Sequence, residues 1–296
     1  MVSPFVSIVI CSKNRCDALA RYALPSLEAL QYPSFEVIVV DDASSDGTQA
    51  FLHSYSAEKI QLRVVRNERS HGLCHARNVG VANSRGAIIA FIDDDCAVFP
   101  DWLDEIVKAY QSPETACAGG VSYRGDSEEI YISADRVWGC NMSFPAEIFK
   151  QFRFDPGLKY SHYADETDLI GRLLDHGLRR VVAPKALVRH YVKEASYRKQ
   201  LPLSGYLNYH YMNAKRGSLS GYYAYVFKHS LKHVAIVEYG INYKGQALAP
   251  LRLAGSVLMK MVHYLYVLLL EIPVAAKLQH AREEALFRSG RGLPAR

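Results

Sequence analysis

Several common signatures are missing from this sequence. Its six cysteines, Cys11, Cys16, Cys74, Cys96, Cys117 and Cys140, form no CxxC pair and no His-flanked spacing of the zinc-module kind. No secretory leader follows Met1, so a reduced, cytoplasmic protein is the expectation. The stretch from Leu251 to Leu278 is mainly apolar but is interrupted by Lys260, Glu271 and Lys277. Its longest uncharged run, Met261 to Leu270, falls well short of the ~20 residues that span a bilayer. No nucleic-acid module and no basic-aromatic signature is present, which removes nucleic acid from the expected partners.

What is present is enough for a folded core. The chain has 296 residues, 49% of them hydrophobic and 22% charged, which suits one large domain with or without an extension. The net charge of +5 conceals an asymmetry. Residues 1–184 carry 18 Lys/Arg against 25 Asp/Glu, whereas residues 185–296 carry 17 against 5. A basic carboxyl-terminal third points to an anionic partner: nucleic acid, for which no module is found, a membrane surface, or a phosphate-rich substrate.

Short apolar runs at Val6–Ile10, Phe35–Val40, Leu62–Val65 and Ile88–Ile92 read as buried strands. Helical patterns separate them. One runs through Leu19, Leu24, Leu27 and Leu30 to a stop at Tyr32-Pro33. A second runs on from Gln49 after the polar turn Ala43–Thr48, and a third covers about Cys74 to Ala82. This fourfold alternation predicts an α/β fold with a doubly wound, mostly parallel sheet and a Rossmann-like nucleotide-binding half.

Two of the strands end in carboxylates, at Asp41-Asp42 and at Asp93-Asp94-Asp95. Ligands of open α/β sheets bind just beyond the carboxyl ends of strands. Three adjacent acids there suit Mg²⁺ or Mn²⁺ held together with substrate phosphates. The competing reading is a solvated acidic turn that caps the helix after Pro100. The first pair is placed to accept hydrogen bonds from a base or ribose.

These segments resemble the inverting family 2 glycosyltransferases of GT-A fold. The resemblance is carried by Ser7–Ile10 with Asn14-Arg15, Val39–Thr48, Ala76–Gly80, Phe91–Asp95, Gly119-Gly120, Gly139–Phe144, Asp165–Leu169 and His190, in the family's order. It covers about residues 5–195. It implies a nucleotide-binding half over about 1–98, an acceptor half over about 99–195, and a helical extension over 196–296. For the nucleotide it implies Ser12, Asn14, Asp42, Arg77, Asp93 and Asp94. For Mn²⁺ or Mg²⁺ it implies Asp95 first, with Asp93 and His190; the division of labour among the three acids stays open. Asn141, Met142 and Trp138 fall where the family lines its acceptor pocket. The family's base comes from an acidic pair usually written Glu-Asp. Here the order is Asp165-Glu166, in a predicted helix running from about Glu166 to His176. Register against Thr167-Asp168-Leu169 favours Glu166 as base, with Asp165 the alternative.

The implied reaction is a single displacement that moves a sugar from a UDP-, GDP- or dTDP-sugar to an acceptor hydroxyl, in cell-surface polysaccharide or glycolipid synthesis. One rival is a sugar-phosphate nucleotidyltransferase, which would want a Gly-rich loop where Cys11–Arg15 has no glycine. The other is a nucleotide-sugar-binding protein that has lost catalysis.

Beyond His190 the resemblance fades, and no Gln-x-x-Arg-Trp motif of the processive synthases follows. Tyr206, Tyr209, Tyr211, Tyr222, Tyr223, Tyr225 and Phe227 make this region rich in aromatics. At the helical period Ser256, Lys260, His263, Tyr264 and Glu271 share one face, giving an amphipathic helix stopped or kinked near Pro273. It would pack on the catalytic domain, meet a second subunit in a homo-oligomer, or lie in the interface of an anionic membrane, including the inner face of the plasma membrane. A lipid-linked or glycan acceptor goes with the last reading. Ser289 to Arg296 reads as a disordered basic tail.

Overall fold

Uninterrupted apolar runs need cover on both faces, and three of the four runs of the first hundred residues receive it as adjacent parallel strands. The fourth, Leu62–Val65, expected to be buried, instead forms the edge strand, with Val64 42% exposed. The computed structural model describes residues 3–132, 137–158, 164–191, 203–217, 219–224, 226, 265 and 267–288. Strands β1 (Val6–Ser12), β2 (Phe35–Asp41), β3 (Leu62–Arg66) and β4 (Ile88–Asp93) lie side by side in the order β3-β2-β1-β4. All three pairings among them are parallel. Helical crossovers at Cys16–Ala18, Leu19–Ala23 and Leu24–Glu28, at Thr48–Ser54 and at Leu73–Asn83 supply the cover. Ile8, Ile10, Val37, Val39, Ala90 and Ile92 share one core with Leu19, Leu24 and Leu27.

Past β4 the sheet becomes mixed. Strands β5 (Cys96–Val98), β6 (Thr115–Arg124), β7 (Ile130–Ile132), β8 (Asn141–Pro145) and β9 (Arg179–His190) complete nine strands among the described residues. The order continues β4-β8-β6-β9-β5, with β7 on β6. β8 runs antiparallel to both β4 and β6, β9 runs parallel to β6, and β5 runs antiparallel to β9.

β9 is far longer than the run Ala186–Val188 suggests. It carries Pro184, which cannot donate to a ladder, at a point where its pairing with β6 shifts register between Gly119 and Val121. Gly120 makes the shift possible. A β-carbon there would lie 1.9 Å from the Ala186 carbonyl oxygen, closer than atoms can approach.

The chain divides into two compact units. One comprises Met1–Pro156, Ala164–Gln200 and Leu286–Arg296; the other comprises Gly157–Tyr163 and Leu201–Ala285. In the second, helix Leu203–Arg216 places Lys215, fully buried, 2.8 Å from Glu283. The Tyr222 hydroxyl donates to the Leu268 carbonyl at 2.6 Å.

Near Pro273, where a stop or a kink is expected, the helix continues but its winding changes. A π turn over Val267–Glu271 leads directly into helix Ile272–Arg288, where Pro273 is the second residue. Tyr225 and Phe227, the expected face through Ser256, Lys260, His263 and Tyr264, and the tail Ser289–Arg296 lie outside the described residues. Among the described residues no helix is long and apolar enough to cross a membrane.

Candidate functional site

The strand order places a crevice where β1 and β4 lie together, and the acids stand at its rim. Cys11 of β1 is in register with Asp93 of β4, and Ser12 with Asp41 of β2. The chain turns at Asp94-Asp95 and returns as β5, whose first residue Cys96 pairs with His190, the last residue of β9. The Tyr191 amide donates to the Asp95 carbonyl at 2.8 Å, closing this seam. One antiparallel pairing therefore delivers His190 to the triplet across ninety-five residues of sequence.

The three acids have different surroundings. Asp94 is buried and turns inward, accepting from the Ser12 hydroxyl at 2.8 Å and from Arg15 Nε at 3.1 Å. Burial pushes its carboxyl up to about 6, against the pull of Arg15 and Ser12. Asp95 bonds Arg15 through its other guanidinium nitrogen and lies 3.0 Å from His190 Nε2. Burial works to raise its pKa, but the hydrogen bond and charge of His190 and the charge of Arg15 hold it below the ordinary carboxylate value. Asp93 is the outermost, with a side chain 36% exposed, 3.7 Å from Arg77 and 3.8 Å from His190. Burial and the neighbouring Cys140 raise it to about 7 in spite of His190 and Arg77. For His190, burial opposes protonation, but Asp95, Cys140 and Asp93 together lift the imidazole to about 11. Without a bound cation it is an imidazolium that donates to Asp95.

The residues expected to meet a nucleotide sit around this cluster, several of them already engaged. Asp42 accepts from Asn67 Nδ2 and the Ser70 hydroxyl, both at 2.7 Å, and from the amides of His71 at 3.2 Å and Gly72 at 3.0 Å. Burial works to raise its pKa, and these four donors outweigh it and hold the carboxyl low. In this arrangement the Asp42 oxygens hold the loop 67–72. Ser12 is similarly committed to Asp94. Asn14 has a left-handed backbone, φ 55°, a conformation asparagine tolerates. Its amide oxygen accepts from the Ser45 amide at 2.7 Å and its own N–H donates to the Ser44 hydroxyl at 2.9 Å. It staples the loop after β1 to the loop after β2.

Arg77 does not face outward as a free nucleotide contact. It is 3% exposed, pairs with the buried carboxylate of Asp165, donates to the Gly139 carbonyl at 3.3 Å and lies over the Phe154 ring at 5.4 Å. A β-carbon on Gly139 would lie 2.7 Å from the guanidinium and would require the Arg77 head to shift. Arg77 thus spans from Asp93 to Asp165, the first residue of helix Asp165–Asp175. That helix begins one residue earlier than expected. Its preceding residue, Ala164, has φ 76°, a strained value for a residue with a β-carbon, costing about 1–2 kcal/mol. Asp165 is committed to Arg77, while its neighbour Glu166 is half-buried in the first helical turn.

The acceptor-lining expectation is not met at two positions. Asn141 and Met142 are fully buried in β8. Asn141 accepts from the Trp102 indole at 2.9 Å and donates to the carbonyls of Ala186 at 2.9 Å and Val121 at 3.3 Å, tying β8 to β6 and β9. A buried amide with this many partners is a structural strut. Trp138 is half-buried and packs against the main core.

Carboxylates of Asp93 and Asp95 beside an imidazole form a donor set that fits a hard or borderline divalent cation. The side chains that a cation would displace, Arg15 and Arg77, are the cations that now balance the acids. The sequence names Arg15 only as part of a motif. Its signal was its place next to Asn14 just past the end of β1, the strand that lies beside β4.

Comparison with known proteins agrees with this architecture. The family model described as Glycosyl transferase family 2 matches residues 7–164. A glycosyltransferase named AglE from Haloferax volcanii is 33% identical over 119 residues, 40% of this chain and 39% of its own length. The succinoglycan biosynthesis protein ExoO of Rhizobium meliloti is 27% identical over 229 residues, 68% of this chain and 64% of its own. The chain therefore spans less than two thirds of these relatives. Among solved structures, the mannosyltransferase PcManGT of Pyrobaculum calidifontis, in complex with GDP-Man and Mn²⁺, superposes with a TM-score of 0.57 at 20% identity, covering all of this chain and 78% of that one. Residues 1–349 of TarS from S. aureus superpose with a TM-score of 0.58 at 15% identity, covering 97% and 92%. The fold is of the GT-A type.

Proposed function

The chain belongs to glycosyl transferase family 2, and from that premise we propose that it transfers a sugar, with inversion, from a nucleoside-diphosphate sugar to an acceptor hydroxyl. The observation that carries this is the convergence of Asp93, Asp95 and His190 at the β1/β4 crevice, with Arg15 and Arg77 beside them. The ligands of the solved neighbours, GDP-Man with Mn²⁺ in one and UDP-GlcNAc in a TarS complex, support a donor of that class.

Asp95, Asp93 and His190 would hold Mn²⁺ or Mg²⁺. A divalent cation there supplies Lewis-acid stabilisation to a diphosphate leaving group. The chain's own groups do the rest. Arg15, released from Asp95, is the cation best placed to meet phosphate oxygens in a planar, two-pronged fashion. Asp42 holds the loop 67–72 as a wall of the nucleotide pocket. Glu166 takes the proton of the attacking acceptor hydroxyl, and Asp165, locked to Arg77, fixes the helix end that carries it. A single displacement needs no protein nucleophile.

The test is release of UDP, GDP or dTDP from a panel of nucleotide sugars with and without Mn²⁺. Metal-dependent release of a nucleoside diphosphate supports the proposal. Pyrophosphate release would favour a nucleotidyltransferase, and binding without turnover an inactive binder.

The ExoO relationship favours polysaccharide synthesis as the setting. A peripheral membrane position is favoured by the basic balance after residue 184 and by Leu270, Val274 and Leu278, each more than half exposed at four-residue spacing on one helix. Co-sedimentation with anionic vesicles that persists when these three are changed to glutamate would remove that stripe from the account.

A further inference from the structure

The cluster at the crevice contains more than oxygen donors. Asp93, Cys96, Cys140 and His190 bring a carboxylate oxygen, two thiol sulfurs and an imidazole nitrogen to within 4.8 Å of one another. They come from the end of β4, the start of β5, the residue before β8 and the end of β9. No linear spacing could reveal such a set, because strand order and not sequence distance assembles it.

The frame around these four is rigid. Cys96 and His190 are register partners in the β5–β9 ladder. Cys140 precedes Asn141, whose amide is anchored on Trp102, Val121 and Ala186. Both thiols are buried, at 0% and 4% exposure. The Ser122 hydroxyl lies 3.5 Å from the Cys140 sulfur, placed to donate to it as a thiolate. Outer partners of this kind orient metal ligands and tune them.

We propose that Asp93, Cys96, Cys140 and His190 form a site for a thiophilic divalent cation of the Zn²⁺ class. Two sulfurs, one nitrogen and one oxygen are the donors of tetrahedral zinc, and Mg²⁺ does not take thiolate ligands. Tetrahedral zinc sets its ligand atoms about 3.3–3.8 Å apart, so closing the set requires an inward movement of about 1 Å by its most distant members. As the metal binds, the protons held by the two cysteines and by the His190 imidazolium leave to solvent, so that the imidazole ligates in its neutral form. Two thiolates and a carboxylate around a dication leave one negative charge, and Arg77, 3.7 Å from Asp93, faces it. The site shares Asp93 and His190 with the oxygen-donor site, so the two occupancies exclude each other and zinc acts as an inhibitor. That exclusion rests on the donor-site reading above; the thiolate site does not.

The probe is Co²⁺, titrated into the full chain after chelation and reduction. One equivalent is expected to give a sulfur-to-cobalt charge-transfer band with tetrahedral visible absorption, bleached by Zn²⁺. Cys140→Ser should weaken binding at least about a hundredfold. Cys117→Ser, at a buried thiol outside the cluster, should leave the band intact. Absence of the band, or its survival in both Cys96→Ser and Cys140→Ser, overturns the site. A second measurement needs no substitution: in urea just below the unfolding midpoint, where the buried thiols open to reagent, Zn²⁺ should slow alkylation of Cys96 and Cys140, mapped by mass spectrometry, and an unchanged rate overturns the proposal. Mn²⁺-dependent release of a nucleoside diphosphate that continues unchanged once one equivalent of Zn²⁺ occupies the thiolate site would overturn the sharing of Asp93 and His190, and with it that donor-site reading, while leaving the thiolate site standing.

Discussion

Arg77 and Asp165 form a buried ion pair that joins the helix after β3 to the first residue of the helix bearing Glu166. Each side chain is 4% exposed, so neither charge has water to fall back on. Removing one member of such a pair costs about 3–5 kcal/mol. Asp165→Asn should therefore lower the melting temperature markedly and reduce transfer as a consequence. Glu166→Gln should leave melting nearly unchanged and reduce kcat by about 10²–10⁴-fold, the range for loss of a general base. Thermal melts and kinetics on the two variants separate the roles. Full activity in Glu166→Gln would remove it as the base.

Asp42 is predicted to act through the loop it holds. Asn at this position would set an amide donor against the Asn67, Ser70, His71 and Gly72 donors. Asp42→Asn should raise KM for the sugar donor about tenfold, with a smaller change in kcat, and speed amide exchange across residues 67–72. An unchanged exchange rate there would contradict the assignment.

Glu36 supplies the clearest dependence on acid. It is 1% exposed and accepts from Ser7 at 2.7 Å, from the Arg85 amide at 2.8 Å, and from the Arg63 and Arg85 guanidinium groups at 2.8 Å each. Burial pushes its pKa up, but the bonds from Arg85 and Ser7 and the charge of Arg63 leave it below the ordinary 4.5. A carboxylate depressed in the folded state contributes stability above its unfolded pKa and loses it as pH falls through the folded one. Glu36→Gln should cost about 2 kcal/mol at neutral pH and flatten the loss of stability below about pH 4.5, measured by urea unfolding across pH.

Asn141→Ala would leave the Trp102 indole N–H and two strand carbonyls without their partner. The expected loss is about 2–3 kcal/mol, with KM for the acceptor unaltered. A shift in acceptor KM at full stability would restore this residue to the acceptor pocket.

The sequence reached the parallel half of the fold because fully buried strands announce themselves as unbroken apolar runs, as Val37–Val40 and Ile88–Ile92 do. It did not reach the full length of β9, whose outer residues Arg179, Arg180 and Lys185 are polar and exposed although the strand sits between β6 and β5. Pro184 further disguises it. The acids of the crevice were legible as types at strand ends. Their partners were not, since Arg77 meets Asp165 across 88 positions and His190 meets Asp95 by way of a ladder. Spacing alone could not tell Asn141 the strut from Asn141 the sugar contact, because an amide serves both.

The seam between β5 and β9 sets a lower limit on how far the protein can be shortened. The family match ends at residue 164, yet β9 begins at Arg179 and ends at His190. A fragment cut where the match ends would bare the edges of β6 and β5 and would hold the aspartates with no imidazole beside them. Shortened versions intended to bind a nucleotide sugar must therefore run at least through Tyr191, whose amide completes the turn around Asp95.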